Sequence, residues 1–220
     1  PYYDVVVVGA GNAAICAALA AWELGASVLV LEKAPRYHRG GNTYFTGGAI
    51  RCAFSGLSDL KLLIPDMTNK EENSIEVEQY TEAQYYADLM RITDGLADPQ
   101  LSQILVSKSF NTLKWLQELG IRFIPLYGRQ SFKVGNKHKF WGGLFVEAVG
   151  GGKGLSDQLF GLLEERGIDI SYETKALRLM TDSWGEIKGV VCLSSMGEKE
   201  ISANAVVLAC GGFESNAEMR

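Results

Sequence analysis

The sequence predicts an α/β fold of the Rossmann-like type, a parallel sheet that binds a dinucleotide at the carboxyl ends of its strands. Two observations carry this prediction. The first is a strand, a turn, a helix and a second strand in immediate succession between Asp4 and Glu32. The second is the turn itself, Gly9-Ala10-Gly11-Asn12-Ala13-Ala14, which follows the dinucleotide-binding glycine pattern.

Each element of this unit has a local reason. Four consecutive β-branched residues, Val5 to Val8, are typical of a strand that is buried on both faces. The run from Ile15 to Leu24 is rich in alanine and leucine, which predicts a helix, and Gly25 stands where a helix ends. Ser27 to Leu31 predicts a second buried strand.

The turn residues and the acid have separate roles in this pattern. Gly9 permits the tight turn, and Gly11 has no Cβ, so the backbone can approach a pyrophosphate. Ala14 stands where a third glycine is commoner and still allows the helix to pack closely on the strand. Glu32 follows Gly11 by 21 residues, where its carboxylate can accept both hydroxyls of an adenosine ribose. A structural turn with a chance acid is the alternative.

Composition excludes several classes of protein. The 220 residues are 47% apolar and carry a net charge of −5, which predicts no broad basic surface for nucleic acid or an anionic membrane. The apolar stretch at 5–22 is interrupted by Gly9, Gly11 and Asn12, so it is better explained as strand plus helix than as a membrane span. No basic segment precedes it, so it does not resemble a signal peptide.

The cysteines and histidines indicate no metal site and no hydrolase. The six residues are Cys16, Cys52, Cys192, Cys210, His38 and His138. They contain no CxxC pair and no zinc spacing, and both histidines lie in polar, loop-like stretches. We expect buried thiols and a reducing, cytoplasmic compartment.

A glycine-rich loop follows the second strand, from Arg39 to Gly48. Its two Gly-Gly pairs bracket hydroxyl and amide side chains, so the loop can lay backbone N–H groups against a flat ligand. Because it follows the dinucleotide unit directly, we expect it to belong to the same cofactor cradle. A plain surface loop is the alternative.

These motifs together resemble a known family. The Gly9–Ala14 turn, the strand end Glu32-Lys33-Ala34 and the Arg39–Thr43 loop are similar to the flavoprotein family of fumarate reductases and succinate dehydrogenases. The resemblance spans residues 4 to 220. Three further stretches most resemble the FAD-dependent tricarballylate dehydrogenases within this family, namely Phe45–Arg51, Phe140–Gly143 and Ala209–Asn216.

The resemblance implies a FAD-dependent oxidoreductase that acts on a carbon–carbon bond of a small polycarboxylate. It also implies a possible electron-transfer partner. Ala176, after the third strand, would touch the adenine by its backbone, and the Ala209–Gly212 strand end would lie near the pyrophosphate. The FAD would be non-covalent, because members that tether it use a histidine where this chain has Asn42. The implied FAD contacts come from Gly9, Gly11, Asn12, Ala13, Ala14, Glu32, Lys33, Ala34, Arg39, Gly40, Gly41, Asn42, Thr43, Thr46, Gly47, Gly48, Ala176, Ala209, Gly211 and Gly212.

The middle of the chain predicts mostly structural elements. Residues 56–80 are polar and mixed, which predicts a long surface connection. A helix is expected over 81–94, with Tyr85, Leu89 and Ile92 on one face. A second helix begins at Asp98-Pro99 and ends at Gly120. Its periodic apolar residues, expected to pack on the core, are Leu101, Ile104, Leu105, Leu113, Leu116 and Leu119.

Two later stretches each allow two interpretations. Ile121–Lys139 is basic, which predicts either a solvated face or an attractive field for a polyanionic substrate. Gly150–Gly154 precedes a predicted helix, Leu155–Arg166, and is either a second anion-binding site or a flexible connection.

The last fifty residues are rich in strands. Ile168–Glu173 predicts a third strand of the main sheet, and Ala176–Thr181 with Ile187–Leu193 predict a hairpin across 182–186. Lys199–Ser202 is expected to add a third strand to that small sheet. Ala205–Cys210 predicts a separate buried strand.

The resemblance also sets the expected domain organisation. Residues 1–220 would be the N-terminal portion of a FAD-binding domain with a helical and loop insertion at about 50–150. A capping domain and a return segment, which carry the family's substrate and proton-relay residues, would follow Arg220. Catalytic residues therefore stay unassigned, and the chain alone is expected to be inactive. Alternatives are a non-catalytic FAD- or ADP-binding module that needs a partner chain, or a ketosteroid dehydrogenase-like flavoenzyme. An NAD-dependent dehydrogenase would give the Arg39–Gly48 loop no role.

Overall fold

The computed structural model describes residues 2–213 and 216–220. The chain divides into two compact units, the first formed by residues 1–46 and 155–220 and the second by residues 47–154. Within the described residues, the strands are β1 Tyr2–Val8, β2 Val28–Leu31, β3 Ala49–Ile50, β4 Ile75–Val77, β5 Phe123–Pro125, β6 Ser131–Val134, β7 Lys137–Phe140, β8 Val146–Ala148, β9 Asp169–Ser171, β10 Lys175–Thr181, β11 Ile187–Ser194 and β12 Gly197–Leu208. The helices are α1 Asn12–Glu23, α2 Gly41–Tyr44, α3 Leu57–Leu63, α4 Asn69–Ser74, α5 Glu82–Ile92, α6 Pro99–Leu119 and α7 Gly151–Glu165, with a 3₁₀ turn at Arg36–His38.

The first unit is built on a six-stranded sheet in the order β10-β11-β12-β1-β2-β9. β12, β1, β2 and β9 are parallel neighbours, which confirms the Rossmann-like fold and the third predicted strand. Val6 and Val7 of β1 are completely buried, as is expected of a strand covered on both faces. α1 begins three residues before the predicted Ile15, because Gly11 is already its N-cap, and Gly25 ends it with a φ of +84°.

The longest strand was not foreseen as one element. The two strands predicted at Lys199–Ser202 and Ala205–Cys210 form a single strand of 12 residues, β12. It pairs antiparallel with β11 and parallel with β1, and Ser202 lies opposite both Gly189 and Tyr2. The predicted meander is present, but its strands continue the main sheet. No glycine or proline interrupts 198–208, so nothing breaks the strand.

The second unit contains two three-stranded sheets, β3-β8-β5 and β4-β7-β6. The surface connection predicted over 56–80 is wrong, because this stretch forms α3, α4 and β4. Leu60, Leu63 and Ile75 are at most 5% exposed and therefore belong to the core. Leu62, which is 50% exposed, lies between the two buried leucines and obscures their helical spacing.

The predicted start of α6 is confirmed. Asp98 Oδ1 accepts the N–H groups of Gln100 and Leu101, both at 2.9 Å, and Pro99 is the first helical residue. α5 occupies most of its predicted range, but Ile92, expected on its packed face, is 67% exposed.

The predicted buried face of α6 is confirmed at Leu113 and Leu116, both 2% exposed, and is wrong in the first half of the helix. Leu101, Ile104 and Leu105 are at least half exposed. Polar residues take part in the true face, and Ser109 Oγ accepts the Ala53 N–H at 3.0 Å, so its burial leaves no orphan group. The buried residues are Ser102, Val106, Ser109, Leu113 and Leu116.

The glycine run before α7 is part of that helix. α7 begins at Gly151, four residues before the predicted Leu155. A Cβ on Gly154 would overlap the Val149 carbonyl oxygen, so glycine permits a close backbone approach here. A flexible connection is therefore the wrong interpretation of this run.

The thiols and histidines only partly follow expectation. Cys52 and Cys192 are buried, whereas Cys16 is half-buried and Cys210 is exposed, because β12 ends two residues before Cys210. His138 lies in β7 and not in a loop. Across the residues that the structure describes, no helix is both long and apolar enough to cross a membrane.

Candidate functional site

The turn after β1 brings three chain segments together. The Gly9 N–H donates to the Leu31 carbonyl at 2.8 Å, and the Ala209 N–H donates to the Val8 carbonyl at 2.9 Å. Gly9 has a φ of +105°, and a Cβ there would lie 2.5 Å from the Ala209 carbonyl oxygen. The glycine therefore serves the turn and also the close approach of the segment after β12.

The first turn of α1 presents backbone donors. Gly11 is the N-cap, and no side chain at that position caps the helix. The Asn12 N–H donates to Thr43 Oγ1 at 3.0 Å. In the described part of the chain the N–H groups of Ala13 and Ala14 have no hydrogen-bond acceptor. Such a helix start attracts anions.

The Cβ position of Gly11 is open. Its φ is −81°, which suits any residue, and the nearest atom to a built Cβ is Thr43 Oγ1 at 3.5 Å. The protein's own packing therefore does not require glycine at this position. A bound group that lies against the helix start would require it.

The predicted glycine loop contains a short helix. α2 spans Gly41–Tyr44, and Gly40 precedes it with a φ of +104°. A Cβ on Gly40 would overlap the Ser156 hydroxyl of α7, so this glycine fixes the loop against that helix. Thr46 Oγ1 donates to the Thr43 carbonyl at 2.9 Å, while Asn42 is exposed. The loop thus places Thr43 beside α1.

Glu32 is a buried acid at the end of β2. It is 7% exposed, and its Oε1 accepts the Ala34 N–H at 2.8 Å. Its backbone is also fixed, since its carbonyl accepts the Thr174 N–H at 2.9 Å. Among residues 2–213 and 216–220, that one N–H is the only hydrogen-bond donor to the carboxylate. The second oxygen is therefore available to a ligand, and Lys33 beside it is exposed.

Arg39 is engaged by the protein itself. Its Nη1 donates to Glu164 Oε1 and to the Tyr172 hydroxyl, both at 2.9 Å, and its Cζ lies 4.1 Å from the Phe160 ring centroid. Hydrogen bonds from Arg39, the largest cause, hold the pKa of Glu164 below its usual value. The Arg39 side chain is therefore held in place by Glu164, Tyr172 and Phe160.

Gly47 and Gly48 lie in the second unit. A Cβ on Gly48, whose φ is +71°, would lie 2.5 Å from the Gly151 carbonyl carbon. The Gly48 carbonyl accepts the Ala148 N–H at 2.9 Å. Backbone packing thus accounts for Gly48, whereas Gly47 meets no such neighbour.

The remaining predicted residues lie at two chain turns of the first unit. Ala176 is half-buried at the start of β10, two residues after Thr174, and packs against the core cluster of the sheet. Gly211, with a φ of +78°, and Gly212 follow Ala209 and are exposed. The related stretch continues through Glu214 and Ser215, which lie outside the described residues.

Sequence reasoning missed the partners that hold these residues in place. Thr174, which is 2% exposed, fixes the Glu32 carbonyl and also hydrogen-bonds Ser171 Oγ at 2.9 Å. Ser156 supports Gly40 from α7. Both act over long sequence separations, so no local spacing signals them.

Comparison with known proteins finds a family that matches nearly the whole chain. The family described as FAD binding domain matches residues 4–220. The chain is 29% identical over 216 residues to "Fumarate reductase (cytochrome)" of Shewanella frigidimarina, covering 98% of this chain and 34% of that protein. It is 30% identical to "Urocanate reductase" of Eggerthella lenta, covering 99% of this chain and 33% of that protein.

A solved structure agrees with these relatives. The open conformation of a flavocytochrome c3 fumarate reductase matches with a TM-score of 0.76 and 26% identity, covering 99% of this chain and 35% of that one. The chain thus spans about a third of the length of these curated relatives.

Proposed function

We propose that this chain is the FAD-binding part of a FAD-dependent oxidoreductase. The premise is that the chain belongs to the FAD-binding domain family of the fumarate reductase and succinate dehydrogenase flavoproteins. The reaction we propose alters a carbon–carbon bond of a small polycarboxylate. The observation that carries the proposal is the start of α1, where Ala13 and Ala14 offer unsatisfied N–H groups beside the open Cβ position of Gly11.

The residues of the first unit fit FAD. The N–H groups of Ala13 and Ala14 and the positive end of the α1 dipole would hold the pyrophosphate. Glu32 would accept the ribose hydroxyls with the oxygen that Ala34 leaves available. Thr43 would keep the α2 turn against α1, so the start of the helix stays shaped for the ligand.

When bound, FAD supplies the hydride-transfer chemistry, and the protein supplies binding and orientation. The chain's own residues bind the nucleotide half and fix its position. We assign no catalytic residue within residues 1–220. We propose that the substrate-binding and proton-transfer groups belong to other parts of the whole protein, and that residues 50–150 are an insertion in its FAD-binding domain.

The proposed substrate class rests on the names of two relatives. A fumarate reductase and a urocanate reductase both act on unsaturated carboxylates by name. Tricarballylate dehydrogenase-like chemistry is our finer proposal, supported by the Phe45–Arg51 and Phe140–Gly143 stretches. An electron-transfer partner is part of this proposal. So is a cytoplasmic location, supported by the absence of a disulfide among the four cysteines.

Activity of the natural full-length protein tests the proposal. We expect it to reduce fumarate with a reduced viologen dye, or to oxidise tricarballylate with an artificial acceptor, above a no-enzyme control. A flavin-loaded full-length protein that does neither would contradict the substrate class.

A further inference from the structure

The first half of α6, in the second unit, has an apolar face that is exposed. Leu101, Ile104 and Leu105 are each at least 50% exposed, and their spacing of i, i+3 and i+4 makes them neighbours on the helix surface. Ile92 at the end of α5 and Leu96 in the connection before α6 are exposed as well. A group of large apolar side chains that meets water in this way is typical of an interaction surface.

The exposed stripe, defined as Leu101, Ile104 and Leu105, is separate from the face by which α6 packs in its own unit. That packed face includes Ser102, Val106 and the helix positions beyond them, which are buried. α6 therefore has two faces in use for different purposes, one that holds the helix in the unit and one that is available to another molecule.

Opposite charges stand at the two ends of the exposed stripe. Asp98 precedes Leu101 by three residues, and Lys108 follows Leu105 by three residues. Both side chains are exposed, and among the residues that the structure describes neither forms an ion pair. Asp98 Oδ1 accepts the two N–H groups of the helix cap, which leaves Oδ2 available. The stripe thus has an acidic end and a basic end at equal distances from its centre.

We propose that two copies of this protein associate through the exposed stripe, with their α6 helices antiparallel about a two-fold axis near residue 103. A two-fold interface uses the same patch on both copies, so the patch must be complementary to itself. In the antiparallel pair Leu101 lies opposite Leu105 of the second copy, and Asp98 lies opposite Lys108 at both ends. A parallel pair would place each charge beside its like, so the charges select the antiparallel arrangement.

An interface of this kind is small, so the association is weak and reversible. Interfaces that bury less than about 1,200 Å² are typical of transient complexes. The exposed ion pairs at the two ends add little affinity and mainly fix the orientation of the helices. We therefore expect an equilibrium between monomer and dimer at micromolar concentration, with the apolar stripe as its main source of affinity.

Sedimentation velocity of the natural full-length protein, over about 1 to 200 μM, measures the dissociation constant of the dimer. Ile104→Glu should raise this constant more than about thirty-fold, because it buries two carboxylates close to the two-fold axis. The control is Phe132→Glu, which places a carboxylate at an exposed apolar position of β6 in the same unit and should leave the constant unchanged.

Charge variants test the antiparallel orientation. Lys108→Glu opposes Asp98 with a like charge at both ends, so it should raise the dissociation constant about five- to thirty-fold. Adding Asp98→Asn should recover part of this loss, because asparagine removes the repulsion and still caps the helix. A general loss of helix stability would not be recovered by the second substitution.

Two results would overturn the inference. The first is a wild-type protein that stays monomeric over the whole concentration range, as it would if another part of the full-length protein covered α6. The second is a dimer that Ile104→Glu leaves intact or that Phe132→Glu weakens equally. A failure of Asp98→Asn to recover association in the Lys108→Glu protein would contradict the antiparallel pairing.

Discussion

Glu32 shows how a single residue is prepared for a ligand before that ligand binds. The side chain is 7% exposed, one oxygen is held by the Ala34 N–H, and the backbone is fixed by Thr174. Burying a carboxylate is costly unless hydrogen bonds compensate it. Ribose hydroxyls would donate hydrogen bonds to the carboxylate oxygen that Ala34 leaves available.

Substituting Glu32 should therefore weaken FAD binding. Charge-assisted hydrogen bonds contribute about 1.5–3 kcal/mol, so Glu32→Ala should raise the Kd about ten- to a hundred-fold. Titration with FAD, followed by flavin fluorescence, measures the change. Glu200→Ala, which removes an exposed acid of β12, is the control. Wild-type affinity in Glu32→Ala would remove Glu32 from the site.

Substituting the two turn glycines should have different effects, one on stability and the other on FAD binding. Gly9→Ala forces a φ of +105° on a residue with a Cβ and places that Cβ 2.5 Å from the Ala209 oxygen. We expect it to lower the free energy of unfolding by roughly 1–3 kcal/mol. Gly11→Ala should change that free energy by less than about 1 kcal/mol and yet lose FAD, because its methyl group enters the space for the pyrophosphate.

Urea denaturation and flavin content separate these two outcomes. A Gly11→Ala protein that is stable and keeps its flavin would show that the backbone at Gly11 does not approach the cofactor. A Gly9→Ala protein as stable as the wild type would contradict the packing that we describe for Ala209.

At the residue scale, the sequence predicted which residues belong to the candidate site better than it predicted their hydrogen-bond partners. Gly9 and Glu32 follow from spacing along the chain, because the βαβ unit is local. The engagement of the Arg39 side chain by Glu164 and Tyr172 could not be foreseen, because those partners come more than 120 residues later.

Among the elements, α1 and the α2 turn are joined by a hydrogen bond between a backbone N–H and a side-chain hydroxyl. Thr43 Oγ1 accepts the N–H of Asn12, the first residue of α1. A hydroxyl from a distant turn thus caps the helix, a task that its own N-cap glycine cannot perform.

Removing that hydroxyl tests the link between the two elements. Thr43→Val keeps the shape of the side chain and should cost about 0.5–2 kcal/mol of stability, the usual value of a cap. It should also weaken FAD binding, because the start of α1 loses its support. Thr43→Ser should restore both. Thermal unfolding and FAD titration measure the effects, and a Thr43→Ser variant as impaired as Thr43→Val would exclude the hydroxyl as the cause.

Elements were predicted well where their signals are local and poorly where tertiary pairing decides. The caps of α6 and the meander hairpin follow from Asp98-Pro99 and from the 182–186 turn. The merging of two predicted strands into β12 depends on its two neighbours, β11 and β1. The buried face of α6 depends on Ser109 finding a partner in Ala53.

For the whole molecule, the thiols report how the chain is packed. Burial raises the pKa of Cys16 to about 11 and, with a smaller contribution from Asp59, that of Cys52 to about 12. Burial also raises the pKa of Cys192, whereas Cys210 is exposed. Because the thiolate is the reactive form, we expect Cys210 alone to react rapidly at pH 8.

Ellman's reagent measures this difference. Native protein should show one rapid thiol, Cys210→Ser should abolish that phase, and urea should release the other three. Rapid reaction of Cys52 or Cys192 in the native protein would mean that the packing around β3 or β11 differs from the structure.

The central claim is that this chain holds non-covalent FAD, and acid precipitation of the purified protein tests it most directly. The released material is identified by chromatography. We expect equimolar FAD, all of it in the supernatant, because Asn42 offers no nucleophile for a covalent link. NAD, or no nucleotide even after incubation with FAD, would contradict the claim, and flavin retained in the pellet would contradict the non-covalent attachment.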